Sequence, residues 1–279
     1  MNRRSFGTGM VGMGVRGMLS RADRLWAQGG VSAKNLVQTM MAREQEAEQQ
    51  RPFYKYLSME RSERTGGAMW TEIVVESSAG RVRFLTAVDG QTLSPDRVRQ
   101  ERGRMAAILS DPHAFASDAK AQMEDEAHAK QMLQILPKAY VLENMRSEGE
   151  DWRVDFRPDP AYSPSGMEEK VMHGMSGFLL VNQKQMRLHH VEGSLPQDVS
   201  IGFGFLATVK AGSLFSSTKE PSGGQWRTVR VVSDIRGKAA LFKTIAKNQD
   251  VTRSLFQRLD AAPNLQQAVA MAEIPVGQT

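Results

Sequence analysis

Apolar residues along this chain change period several times, and each change predicts a new element. Leu36, Val37, Met40 and Met41 recur at helical spacing. They predict a helix over residues 31–50, with Ser32 as N-cap, a polar end from Arg43 to Gln50, and Pro52 as its stop. The period then shortens to two, predicting strands over 53–64, 69–77 and 81–89. The second carries Trp70, Ile73, Val74 and Val75; the third sets Val82 and Phe84 against Arg81 and Arg83, after a turn at Ser78-Ala79-Gly80. Helical spacing returns at Ser94-Pro95-Asp96, where Ser94 caps and Pro95 takes the first helical position. Val98, Met105, Ile108 and Leu109 form that helix's apolar face, and Phe115, Ala119, Met123 and Ala127 form that of a second helix starting at Asp111-Pro112 and ending at Pro137.

Strand spacing resumes over 140–147 and is clearest over 151–157, where Trp152, Val154 and Phe156 alternate with Asp151, Arg153, Asp155 and Arg157. Strict alternation means one wet face and one dry face, and hence an antiparallel sheet. Further strands are predicted over 170–181, 186–193, 225–235, 238–245 and 252–259, with turns at Asn182-Gln183 and Arg236-Gly237, and a short helix over 264–273. Residues 201–217 resist assignment.

These elements predict an α+β fold: a strongly curved antiparallel sheet, an incomplete β-barrel of about nine or ten strands, with helices on its concave face. Strands on both sides of a helical insert at 94–137 place residues 31–279 in one domain. Helices that do not fill the concavity leave an apolar cavity, where each buried CH₂ contributes roughly 0.8 kcal/mol. The residues expected to line it are Trp70, Val74, Phe84, Trp152, Val154, Phe156, Phe178 and Leu180 from strands, with Phe115 and Met123 from the insert. The seventeen methionines fit either plain core filling or an adaptable, greasy cavity wall.

Composition narrows the chemistry. The chain has 279 residues, 41% hydrophobic and 24% charged, and no apolar run approaches the ~20 residues of a spanning helix. It has no cysteine, which removes disulfides, thiolate metal sites, cysteine nucleophiles and a lipid attached to an N-terminal Cys. The net charge is +5, but most of that excess lies in the first thirty residues, where Arg3, Arg4, Arg16, Arg21 and Arg24 face Asp23 alone. The remainder interleaves its charges, unlike a phosphate-binding surface, so no nucleic acid partner is expected. Arg3-Arg4-Ser5-Phe6 followed by a weakly apolar stretch to Val15, with small residues at Ala27 and Gly29, resembles a twin-arginine export signal over 1–30, although Arg16 interrupts it. Gly7, Gly9 and Gly12 fit a dinucleotide spacing but lack the preceding buried strand.

Catalytic candidates are few. His189-His190 in a strand point to opposite faces, so they do not share a metal. Glu124 and His128 have the i, i+4 spacing of two ligands, but nothing marks a third. Glu168-Glu169 are adjacent loop carboxylates, and no nucleophile-elbow, zincin, P-loop or calcium-loop motif occurs. The expectation is a protein that is not an enzyme, with no cofactor and no metal.

The segments Gly177-Phe178-Leu179-Leu180-Val181, Met186-Arg187-Leu188-His189-His190-Val191-Glu192-Gly193 and Gly202-Phe203-Gly204-Phe205-Leu206 resemble the strand–turn–strand and glycine-rich segment of the outer-membrane lipoprotein-sorting superfamily, which includes LolA, LolB and the N-terminal domain of RseB. The order of elements across residues ~31–260 is similar as well. The resemblance implies an incomplete barrel lidded by helices that binds lipids or the acyl chains of lipoproteins. The lack of Cys departs from the anchored receptor. The expected function is an exported, periplasmic, non-catalytic protein, at most peripheral to the membrane, whose partner is a lipid or acylated lipoprotein. The alternatives are an envelope sensor or scaffold with a protein partner, and a hydrolase lidded by the insert.

Overall fold

The structure, a computed structural model, describes residues 32–120, 134–201, 207–239 and 244–277. Residues 1–30, expected to be an export signal, and Met123, the Glu124–His128 pair and Gly202–Leu206 therefore lie outside the described residues. Helix α1 (Ala33–Gln49) precedes strands β1 (Tyr54–Ser62), β2 (Trp70–Ser77), β3 (Gly80–Val88) and β4 (Gln91–Thr92). Then come α2 (Pro95–Ser110), a helical segment over 112–120, α3 (Leu136–Ala139), β5 (Tyr140–Glu148), β6 (Asp151–Pro158) and α4 (Met167–His173). The chain continues through β7 (Ser176–Asn182), β8 (Leu188–Ser194), β9 (Val199–Ile201), β10 (Ala207–Val209), β11 (Leu214–Ser222), β12 (Gln225–Ala239) and β13 (Thr244–Arg258) to α5 (Leu265–Ala272).

The fold is α+β, and the strands form one large antiparallel sheet of thirteen strands among the described residues, ordered β4-β3-β2-β1-β13-β12-β11-β8-β7-β6-β5. The sheet does not close into a barrel: β4 and β5 are its ends, and β9–β10 branch from β12. Four strands lie beyond those expected: β4, β9 and β10, of two or three residues and too short for a period-two pattern to register, and β11, which begins inside the stretch 201–217 that resisted assignment.

Local signals explain most boundaries. The Ser94 side chain accepts from the Arg97 N–H and Pro95 opens α2. Asn264 and Gln267 form a reciprocal capping box at α5. Three expectations are corrected. Residues 167–173 are helical rather than the start of a strand; Val171 and Met172 pack with Met175, Leu195 and Val209, which a helix achieves and an extended chain does not. Arg236-Gly237 is no turn: both residues pair with Ala246 and Ile245, and Gly237 is needed because a Cβ there would stand 2.6 Å from the Thr208 carbonyl oxygen. The strands expected over 238–245 and 252–259 are instead the end of β12 and one long β13; Pro137 stands in the first turn of α3, where its missing N–H costs nothing.

Opposed residues in an antiparallel ladder share a face. One row runs across eight strands, Trp70–Glu60–Val251–Val231–Ser217–Val191–Leu179–Val154; this is called the front. The row beside it, Thr71–Met59–Thr252–Arg230–Thr218–His190–Leu180–Arg153, defines the rear. At the β2–β3 end a core forms on the rear side, where Val75 and Val82 pack with Met105 of α2 and Ala268, Val269 and Ala272 of α5. At the β6–β8 end the front residues Trp152, Val154, Phe156, Leu179, Val181 and Val191 are buried.

Candidate functional site

The residues expected to line one cavity separate by face. Trp152, Val154 and Phe156 lie together on the front of β6 and are 4%, 0% and 6% exposed. Val74 is also on the front, but packs in a different cluster with Tyr54, Tyr56 and Phe256. Trp70 lies under the Arg64 guanidinium, 5.2 Å from the ring centroid. Phe84 and Phe115 pack on the rear core against α2 and α5. Phe178 and Leu180 are on the rear of β7, where the Arg153 guanidinium sits 3.6 Å from the Phe178 ring centroid. Period-two spacing gave each strand two faces but could not match the faces of distant strands; the bulges between Thr71 and Glu72, Thr218 and Lys219, and Leu180 and Val181 complicate that matching.

α1 buries Leu36, Val37 and Met40 and packs against β5, β8 and α3. Its predicted polar end contains an anchor that the sequence did not mark. Glu44 accepts from Arg187 Nε at 2.7 Å, from the Leu188 N–H at 3.2 Å and from Lys219 Nζ. Burial works to raise the Glu44 carboxyl, but the hydrogen bonds and charges of Arg187 and Lys219 outweigh it and hold it below the ordinary range.

The front of β1–β3 holds three buried carboxylates. Glu72, 1% exposed, takes two hydrogen bonds from Arg64 and one from Arg83, while Glu60 shares the same arginines. Glu76 meets Arg51 at 2.6 Å and Arg227 at 3.0 Å, and Arg227 also lies 4.0 Å from the Tyr54 ring centroid. For Glu60, burial raises the carboxyl and the bonds from Arg64 and Ser62 lower it further, to a net position below normal. The available signal was Glu72 and Glu76 on the same face as Val74 in an apolar strand, with Arg81 opposite Glu76 and Arg83 opposite Val74 across the hairpin.

The adjacent histidines make separate contacts. His189 Nδ1 lies 2.7 Å from Asp151 Oδ2, beside Trp226. His190 Nδ1 lies 2.9 Å from Thr218 Oγ1, whereas Glu192 is 3.8 Å from its other nitrogen, beyond hydrogen-bond length. Burial pushes the His190 imidazole down. Among the described residues, no group of three or more His, Asp or Glu is placed to hold a metal, and no helix is long and apolar enough to cross a membrane.

An open groove of about 440 Å³ lies between the β11–β12 hairpin and β13. Thr218, Glu220, Pro221 and Ser222 form one wall, Thr252 to Phe256 the other, with Val229 and Arg230 between. The sequence matches no protein-family model and no curated protein.

Proposed function

We propose that this chain is an exported, non-catalytic protein that takes up an acyl chain, from a lipid or an acylated lipoprotein, on the apolar front of β6–β8 beneath α1. At the other end of the front, the β11–β12 hairpin tip folds over β1 and β2, where Arg227 meets Glu76 at 3.0 Å. The Tyr54 hydroxyl likewise reaches the Gly223 carbonyl in the β11–β12 turn, at 3.0 Å.

The observation that carries the reading is how α1 is held. α1 packs against β5 and β8, buries Leu36, Val37 and Met40 and is tied by Glu44 to Arg187 and Lys219, beside strands whose front carries the buried Trp152, Leu179 and Val191. Burying the three helix side chains contributes ~1.5–3 kcal/mol each. About ten methylenes of an acyl chain contribute ~8 kcal/mol in the same place, comparable to those three side chains, so chain and helix compete for the face.

Native mass spectrometry of the purified chain tests for a retained lipid, and titration with cis-parinaric acid tests for uptake. Saturable fluorescence is expected, with faster association in Glu44→Gln, which loosens α1 and leaves the apolar face intact. Absence of both retained lipid and saturable binding, in folded wild-type and variant protein, overturns the proposal. The second reading, a scaffold for a protein partner, is favoured by the open groove at β13.

A further inference from the structure

The contact that holds α1 has the make-up of a carboxylate-binding site. Both oxygens of Glu44 are taken by donors from the sheet: Arg187 Nε at 2.7 Å and the Leu188 N–H at 3.2 Å on Oε1, and Lys219 Nζ on Oε2. Arg187 stands just before β8 and Lys219 on β11, whereas the carboxylate arrives from a helix 143 residues away in the chain. The Arg187 and Lys219 side chains are only 14% and 23% exposed, so both cations are largely withdrawn from water. The site adjoins apolar strands, because Leu188, whose N–H it uses, faces Val181 of β7 and both are buried.

Each donor stands at an irregularity of the sheet. Met186, immediately before Arg187, has φ +53, a conformation uncommon outside glycine. It closes the β7–β8 turn: its N–H donates to the Asn182 carbonyl, and the Asn182 N–H donates to the Arg187 carbonyl. The β7–β8 register then slips, so that Val181 faces Leu188 and Leu180 faces His190, leaving His189 over. Lys219 stands at the slip in β11–β12, facing Thr228 while its neighbour Thr218 faces Arg230. Bulges re-aim side chains, and sparsely populated backbone conformations gather at binding sites.

We infer that Arg187, Lys219 and the Leu188 N–H form a cradle for the carboxylate head of the acyl ligand, and that Glu44 occupies this cradle as an internal stand-in while α1 is docked. The inference rests on the acyl reading and narrows its ligand to a fatty acid rather than a neutral acyl ester. Lifting α1 withdraws Glu44 and leaves two largely buried cations without a counter-charge, which is a costly state. A carboxylate offsets that cost and an ester does not. Glu44 takes one N–H of Arg187, whereas a free carboxylate, not fixed to a helix, can take two in parallel.

The probes are cis-parinaric acid and its methyl ester, titrated by fluorescence at neutral pH, where a carboxylic acid is ionised. Glu44→Ala, which empties the cradle and keeps its donors, is expected to bind the acid at least tenfold more tightly than the ester. Adding Arg187→Gln and Lys219→Gln, with α1 already unlatched, is expected to abolish that preference while ester binding stays. Adding Lys219→Gln alone, a milder change, is expected to reduce the preference at least threefold. A second arm needs no acyl chain: sodium acetate is expected to raise the Tm of Glu44→Ala saturably above equal sodium chloride, and to do so neither in wild type, where Glu44 fills the cradle, nor in the variant lacking both cations. Equal binding of acid and ester by Glu44→Ala, a preference that survives loss of both cations, or no acetate-specific shift in Glu44→Ala overturns the inference. Binding of neither amphiphile with the acetate shift present overturns the acyl reading instead and supports the cradle as a carboxylate site.

Discussion

Replacing Glu44 by Gln tests whether α1 is latched as described. The substitution preserves size and removes the charge that Arg187 Nε, at 2.7 Å, and Lys219 share. Removing one partner of a fully buried ion pair costs about 3–5 kcal/mol. Here the side chains of Glu44, Arg187 and Lys219 keep 20%, 14% and 23% exposure, so water recovers part of that and the loss is ~2–3 kcal/mol. The loss falls on docking of α1, because Glu44 lies on the helix, Lys219 on β11 and Arg187 in the turn before β8. At a tenfold change per ~1.4 kcal/mol, amide protection over residues 36–44 drops roughly 30- to 150-fold, while the β6–β8 amides hold. Hydrogen exchange by mass spectrometry reads this segment by segment.

The pH dependence follows from the same carboxyl, whose folded-state pKa is held below its ordinary 4.5. A depressed acid contributes stability that is fully present above the unfolded value and is lost as pH falls through the folded one. Wild-type α1 therefore keeps its protection at neutral pH and loses it below about pH 4.5, whereas Glu44→Gln shows little of that local change. Unchanged α1 protection in the variant at neutral pH, or equal loss throughout the chain, refutes the latch.

Three further outcomes are expected. Glu72→Leu leaves Arg64 and Arg83 with Glu60 alone; Arg64 is partly exposed, so the cost falls below that of a fully buried pair, to about 2–3 kcal/mol. Adding Arg83→Met recovers at least about 1 kcal/mol, as a urea double-mutant cycle will show; strict additivity contradicts the network. Gly177→Ala places a Cβ 1.8 Å from the Glu192 carbonyl oxygen across the β7–β8 ladder, so the strands must separate; expression as a soluble, cooperatively melting protein with wild-type Tm would contradict this approach. His190 titrates below 6.5 because burial disfavours its cation. Its stability contribution is complete above pH 6.5 and declines as pH falls toward the folded value, and an NMR midpoint above 6.5 would reverse that sign.

Local chemistry made much of this molecule legible in its sequence. The apolar spacing of Leu36, Val37 and Met40 specified a helix, Ser94-Pro95 and Asn264 specified helix starts, and the alternation around Trp152, Val154 and Phe156 specified a strand with one dry face. These signals are legible because each depends on neighbours within a turn or two of chain. The α+β class and the antiparallel sheet followed from them.

Which faces came together was decided only by the tertiary structure. Phe178 and Val154 read alike in sequence, but the β6–β7 register puts them on opposite sides of the sheet. Glu72 and Glu76 read as ordinary strand carboxylates until Arg64, Arg83, Arg51 and Arg227 arrive from four other segments. Gly237 read as a turn until β10 crossed beside it. The groove at β13 depends on extra residues in two ladders whose strands are far apart in the chain. Period and capping act over a few residues, whereas register, ion pairing and strand parting depend on segments up to about two hundred residues away, and no local pattern encodes their arrival.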